Sequence, residues 1–132
     1  MEVQCEVWAK FKEWITRVGM TDDACQLNVV RQFLVKELGL QVGDPGPQAV
    51  NFDGRPLPIY GDIQLQVRVT DSKGNVLRIK EHFTTVQNAL RDIVLGLPFL
   101  ERYNPVRNYG QRKIYWRRRQ RATLMKVPRP VT

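Results

Sequence analysis

The sequence predicts a mainly β domain, a small barrel or sandwich carrying one or two short helices. Three observations lead there. Short runs alternate apolar with polar residues, most clearly Ile63, Leu65, Val67 and Val69 between Gln64, Gln66 and Arg68, the pattern of a strand with one buried face. Turn-forming clusters recur between such runs, at Asp44-Pro45-Gly46-Pro47, Asp53-Gly54 and Asp71 to Asn75, as frequent short strands require. The length of 132 residues, with 42% hydrophobic and 26% charged, suits one compact domain and leaves little room for a second.

Taken in order, Val3, Cys5 and Val7 alternate with polar neighbours and predict a first strand, whose end is blurred by Trp8, Phe11 and Trp14. Ile15 to Met20 is a second strand or turn. Asp22-Asp23-Ala24-Cys25 is a polar break before Leu27-Asn28-Val29-Val30. Phe33, Leu34 and Leu38 recur at helical spacing, so a helix is expected over Gln32 to Leu38, with Gly39 as its stop. Asp71 to Asn75 turns the Ile63–Val69 strand back into Val76 to Phe83, a hairpin. Ile93-Val94-Leu95 is a continuous apolar run, as in a strand buried on both faces. Pro98 to Tyr103 opens a short helix, and Asn104-Pro105 closes it. Trp8 and Trp14 are expected in the core, and His82 on a strand surface.

Composition narrows the chemistry. The chain has one serine (Ser72), one histidine (His82) and two cysteines (Cys5 and Cys25). These supply neither a disulfide framework nor a zinc ligand set. Ser72 lies in a turn, Cys25 reads as a small, partly buried residue, and no nucleophile motif or Gly-rich phosphate loop is present. No cofactor is expected. Carboxylates are the best-supplied catalytic resource. Residues 1–106 carry 12 Lys/Arg against 13 Asp/Glu, whereas from Arg107 onward there are nine basic residues and no acid. The run Arg117-Arg118-Arg119-Gln120-Arg121 reads as a solvated linker, or as a nucleic-acid contact with Tyr115 and Trp116 stacking on bases. No apolar run is long enough to span a membrane, so a soluble intracellular protein is expected, in the cytoplasm or a virus-like particle.

Three segments together resemble the retropepsin-like aspartic protease domain of gypsy-type retrotransposons. Thr21-Asp22-Asp23-Ala24-Cys25-Gln26-Leu27-Asn28-Val29-Val30 is similar to the catalytic loop of that family, Asp-Ser/Thr-Gly continued by Cys/Ala, Asn and apolar residues. Asp53-Gly54 and the stretch to Gly61 stand where the family has its flap. Asp92-Ile93-Val94-Leu95-Gly96-Leu97-Pro98-Phe99-Leu100, followed by Asn104-Pro105, looks like the segment and helix that end the fold. The resemblance spans about residues 1–116 and leaves 117–132 as a basic tail. It implies a closed β barrel with one or two short helices, acting as a homodimer on polypeptide substrates. It further implies Asp22 as the catalytic aspartate, Asp53 and Gly54 as flap residues, and Leu95-Gly96 as support beneath the active-site loop. The loop departs from the family at Asp23, where Ser or Thr is usual, and at Ala24, where Gly is usual. Two readings follow: an active aspartic endopeptidase, or a degenerate domain that dimerises or scaffolds. Without the resemblance, Asp22-Asp23 is a solvated turn ahead of a helix.

Overall fold

The structure, a computed structural model, describes residues 1–42, 49–51 and 56–117. In chain order the elements are β1 (Glu2–Trp8), β2 (Trp14–Thr21), β3 (Val29–Arg31), α1 (Gln32–Glu37), β4 (Ala49–Asn51), β5 (Pro56–Thr70), β6 (Val76–Val86), β7 (Ile93–Leu95), α2 (Leu97–Tyr103), β8 (Val106–Asn108) and β9 (Lys113–Tyr115). The predicted loop at Asp44–Pro47, the Asp53-Gly54 pair and the arginine run from 118 lie outside the described residues. β4 and the start of β5 are antiparallel partners on either side of Asp53-Gly54.

Six strands run in the order β1-β2-β7-β3-β6-β5, and β1 pairs back onto β5 to close a barrel; β4 lies outside β5. Closure leaves few free strand edges to manage. The alternation in the sequence sets which side chains face inward. Val3, Cys5 and Val7 of β1 meet Leu65, Val67 and Val69 of β5 and Leu77, Ile79 and Phe83 of β6 in one core. Burial pushes the Cys5 thiol up to about 12, because removing a thiolate from water is unfavourable. β7 runs parallel to β2 and antiparallel to β3. With a neighbour on each side and core above and below, all three of its residues are buried, as the unbroken apolar run predicts.

The hairpin turn is built on Asp71, whose Oδ1 accepts the amides of Lys73 and Asn75, each at 2.9 Å. This is the local bonding that makes Asp a turn former. α1 seats Leu34 and Val35 on the core and stops at Gly39, which takes φ +74° and donates its amide to the Lys36 carbonyl at 2.9 Å. α2 has Pro98 in its first turn and ends at Asn104 in the left-handed region. Among the described residues no helix is long and apolar enough to cross a membrane.

Two expectations are corrected. Trp116, expected as a surface on which bases could stack, belongs to a segment folded onto the barrel: β8 and β9 pair as a hairpin, and Ser72 and Ile114 exchange two hydrogen bonds of 2.9 Å. Trp116 is 1% exposed. Its amide donates to Asp71 Oδ2 at 3.0 Å, its indole N–H reaches the carbonyls of Val69 and Asn75, and its ring meets Phe99 edge-on. It is a core anchor and has no face to offer a base. Conversely, Trp8 and Trp14 are half-buried, paired across β1 and β2 on the outer face with ring centroids 5.0 Å apart. They share the outward phase of Glu2, Gln4 and Glu6, so strand parity keeps them out of the core.

Candidate functional site

Where β2 ends, the chain enters a loop from Asp22 to Asn28, and the β7–α2 junction passes directly behind it. The Asp22 amide donates to the Leu95 carbonyl at 3.0 Å, and the Leu97 amide donates to the Cys25 carbonyl at 2.8 Å. Between them, the Gly96 amide donates to Asn28 Oδ1 at 3.0 Å. Residues 22–28 and 95–97 are thus laced together by one donor from the loop and two from the junction. Gly96 allows this approach: a Cβ there would stand 2.6 Å from the Cys25 carbonyl oxygen and closer still to that of Leu27. Leu95 accepts from the loop through its carbonyl and Gly96 donates to it through its amide.

Asn28 extends the bracing. It is buried, its carbonyl accepts the Thr84 amide at 2.8 Å, and its side chain bridges to Gly96. Asn28→Ala would leave the buried Gly96 amide without its acceptor and is expected to cost roughly 1–3 kcal/mol. A urea midpoint indistinguishable from that of the parent protein would sink that assignment. Further out, Asp92 just ahead of β7 accepts from Arg17 of β2 at 3.2 Å and from Arg31 of β3 at 3.1 Å. One carboxylate therefore ties both neighbours of β7 together.

The Asp22 carboxylate is half-buried and accepts the Ala24 amide at Oδ1, 2.9 Å. The Cys25 amide closes the turn onto the Asp22 carbonyl at 3.2 Å. Asp22 Oδ1 is oriented by its own loop, and the group faces solvent. Ala24 is exposed and is not among the described non-glycine residues with positive φ, which are Lys12, Asn104 and Arg112. The loop therefore keeps its turn with a methyl group at this position. Asp23 is exposed, and its Oδ2 accepts from the Tyr109 hydroxyl at 3.4 Å. Tyr109 sits between β8 and β9, 86 positions along the chain, and no local pattern marks it as a neighbour of the loop. Cys25 is buried and donates its thiol to the Leu27 carbonyl at 3.1 Å. Burial raises its pKa, which makes it a poor nucleophile. Among the described residues no cluster of His, Cys, Asp and Glu could hold a metal ion.

Beside the loop opens a cleft of about 850 Å³, lined by Met1, Met20, Leu90 and Tyr109 and by the Glu2–Arg91 ion pair. The Arg91 guanidinium holds the Glu2 carboxyl below the usual range. Leu90 is 75% and Tyr109 61% exposed. The cleft thus mixes exposed apolar side chains with the charges of Glu2, Arg91 and Arg112, and Tyr109 joins it to Asp23 of the loop. His82 lies exposed on β6, away from any cysteine or serine partner among the described contacts, as expected of a strand-surface residue.

The closed six-stranded barrel with two short helices, its last barrel strand threaded behind an aspartate-bearing loop, is a retropepsin-like fold. The architecture matches the crystal structure of the retroviral protease-like domain of Ddi1 from Leishmania major with a TM-score of 0.64, covering 89% of this chain and 88% of that one at 17% identity. No protein-family model and no curated protein matches the sequence.

Proposed function

We propose that this protein is a retropepsin-type aspartic endopeptidase of gypsy-type lineage, acting on polyprotein junctions as a homodimer, with one Asp22 from each copy. The observation that supports this best is the setting of Asp22. It stands at the end of a barrel strand, oriented by the Ala24 amide and anchored by its own amide to the strand behind, with its carboxylate half-exposed. A single carboxylate cannot act as base and acid at once. A second copy placed across a two-fold axis supplies the other. Two carboxylates so close share one proton between them, so that one serves as base and the other as acid. The ionised member takes a proton from water, whose oxygen bonds to the scissile carbonyl carbon, while the protonated member gives its proton to the carbonyl oxygen. The resulting diol collapses as a proton reaches the amide nitrogen and the C–N bond breaks. Leu27, Leu90 and Tyr109, all exposed, are the apolar side chains a second copy would cover.

The domain is placed at residues 1–116, because Trp116 anchors that end to the barrel, with 117–132 as a linker. Asp53 and Gly54 are assigned to the substrate-covering flap on the resemblance alone. Such an enzyme grips an extended peptide through main-chain hydrogen bonds. The test is cleavage of a peptide library at mildly acidic pH, followed against protein concentration and against oligomeric state by sedimentation. Turnover confined to the dimer is expected.

A second reading rests on Asp23. With two aspartates per copy, four carboxylates would gather near one axis, opposing the ionised form. In that reading the domain is a dimeric scaffold without turnover. Both readings require the dimer; only the first requires cleavage.

A further inference from the structure

The outer face of the barrel formed by β1, β2, β5 and β6 carries a charge pattern that the peptidase reading does not use. Cross-strand register places Glu6 opposite Arg68, Arg68 opposite Arg78, and Gln66 opposite Lys80, with Trp8 opposite Trp14 at one end. Arg68 lies over the Trp14 ring, its Cζ 4.0 Å from the centroid, and Arg78 approaches the same ring at 5.7 Å. Of the acids that alternate outward along β1, Glu6 is paired with Arg68 and Glu2 with Arg91. Arg78 and Lys80 have no acidic partner among the described residues, and both are exposed.

We infer that this face binds single-stranded nucleic acid. The argument is one of charge and shape together. Two uncompensated cations on one strand stand about 6.8 Å apart along it, a step an extended phosphodiester backbone matches. Beside them lies an aromatic and guanidinium surface held by mutual packing, with Trp8 tilted at 56° to Trp14 and Arg68 over the Trp14 ring. Bases of any sequence stack on tryptophan and arginine planes while cations neutralise the phosphates. The Gln66 amide adds a donor and an acceptor next to Lys80. A membrane surface fits less well, since Trp8 and Trp14 are half-buried and packed on each other, with Trp14 under arginine, rather than projecting. An acidic peptide would use the cations but leave the aromatic planes unused. This face is separate from Asp22, so the inference stands or falls apart from the peptidase reading.

The test is fluorescence anisotropy of a labelled single-stranded RNA 15-mer with the full chain at low salt. Arg78→Glu with Lys80→Glu is compared with a control of equal charge change on other faces, Lys36→Glu with Arg102→Glu. All four positions are exposed, and folding is checked by circular dichroism. Binding weakened at least tenfold by the face variant, with a salt slope flatter by about 1.4 for two lost phosphate contacts, and less than twofold by the control, is the expected result. No binding by the parent protein, or equal loss in both variants, would overturn it, the latter assigning the affinity to net charge or to residues 117–132. Binding to phosphatidylserine vesicles in place of RNA would also overturn it, in favour of a lipid surface.

Discussion

Asp22→Asn is expected to reduce peptide cleavage by roughly 10²–10⁴-fold, the range for removing a general acid or base, while leaving fold and dimer intact. The substitution is nearly isosteric. An asparagine oxygen can still accept the Ala24 amide that Asp22 Oδ1 accepts at 2.9 Å, and the backbone bond from residue 22 to Leu95 involves no side chain. What disappears is the ability to take and return a proton. The proposed two-fold pairing carries a stricter consequence. Mixing equal amounts of parent and variant chains, and letting them exchange, leaves about a quarter of dimers with two aspartates, and activity should fall to that level. Cleavage that persists in the variant would remove Asp22 from the catalytic role. A linear fall to one half on mixing would show that each chain works alone. If the parent protein forms dimers but cleaves nothing, Asp23→Ser with Ala24→Gly separates the two readings. Turnover gained by that double change would place the defect in the loop; a dimer that stays inert would establish the scaffold.

The structure already bears on how much the unusual loop residues disturb the site. Ala24 adopts no left-handed conformation, and its amide makes the bond to Asp22 that a glycine would make. Asp23 is exposed and bonded to Tyr109 on the β8–β9 hairpin, within its own chain. Neither residue displaces the Asp22 carboxylate from a half-exposed, oriented position.

What the sequence revealed depended on the range of the interaction concerned. β1, β5 and β6 were legible because each alternates over several residues, and the Asp71 turn because its bonds are local. β3, β4, β8 and β9 span three residues each, too few for a period to register. They exist because a neighbouring strand offers partners. Trp8 and Trp14 were legible in principle: inward Val3, Cys5 and Val7 fix the parity of β1, and Trp8 falls on the other phase. Side-chain size favoured the core, and parity prevailed. The parallel pairings of β7 with β2 and of β3 with β6 have no local signature, so the threading behind Asp22 was visible only through the resemblance of the segment around Leu95-Gly96. The Asp23–Tyr109 bond and the role of Asp92 between Arg17 and Arg31 depend on that threading and could not be read before it.

Gly96→Ala tests the threading itself, and its effect on stability is expected to be the largest of any single methyl group added to the barrel. The backbone at Gly96 has φ −89° and ψ −160°, which alanine can adopt, so no conformational preference of glycine is at stake. The obstacle is steric. The new Cβ would be 2.6 Å from the Cys25 carbonyl oxygen and nearer to that of Leu27, distances real carbon–oxygen contacts do not reach. Both obstacles are backbone atoms of the Asp22–Asn28 loop, so no rotamer change relieves them. Either the loop moves outward, or residue 96 moves back and pulls its amide from Asn28 Oδ1 and the Leu97 amide from the Cys25 carbonyl. Overpacking of this kind costs about 1–3 kcal/mol in an ordinary core, and losing a buried amide's acceptor adds roughly another 1–3 kcal/mol. Chemical denaturation should place the variant about 3 kcal/mol or more below the parent protein, and any fraction still folded should have lost activity because Asp22 moves with its loop. A variant of parental stability would mean that the β7–α2 junction does not pass behind the loop, and the retropepsin-like threading would have to be abandoned together with the role assigned to Asp22.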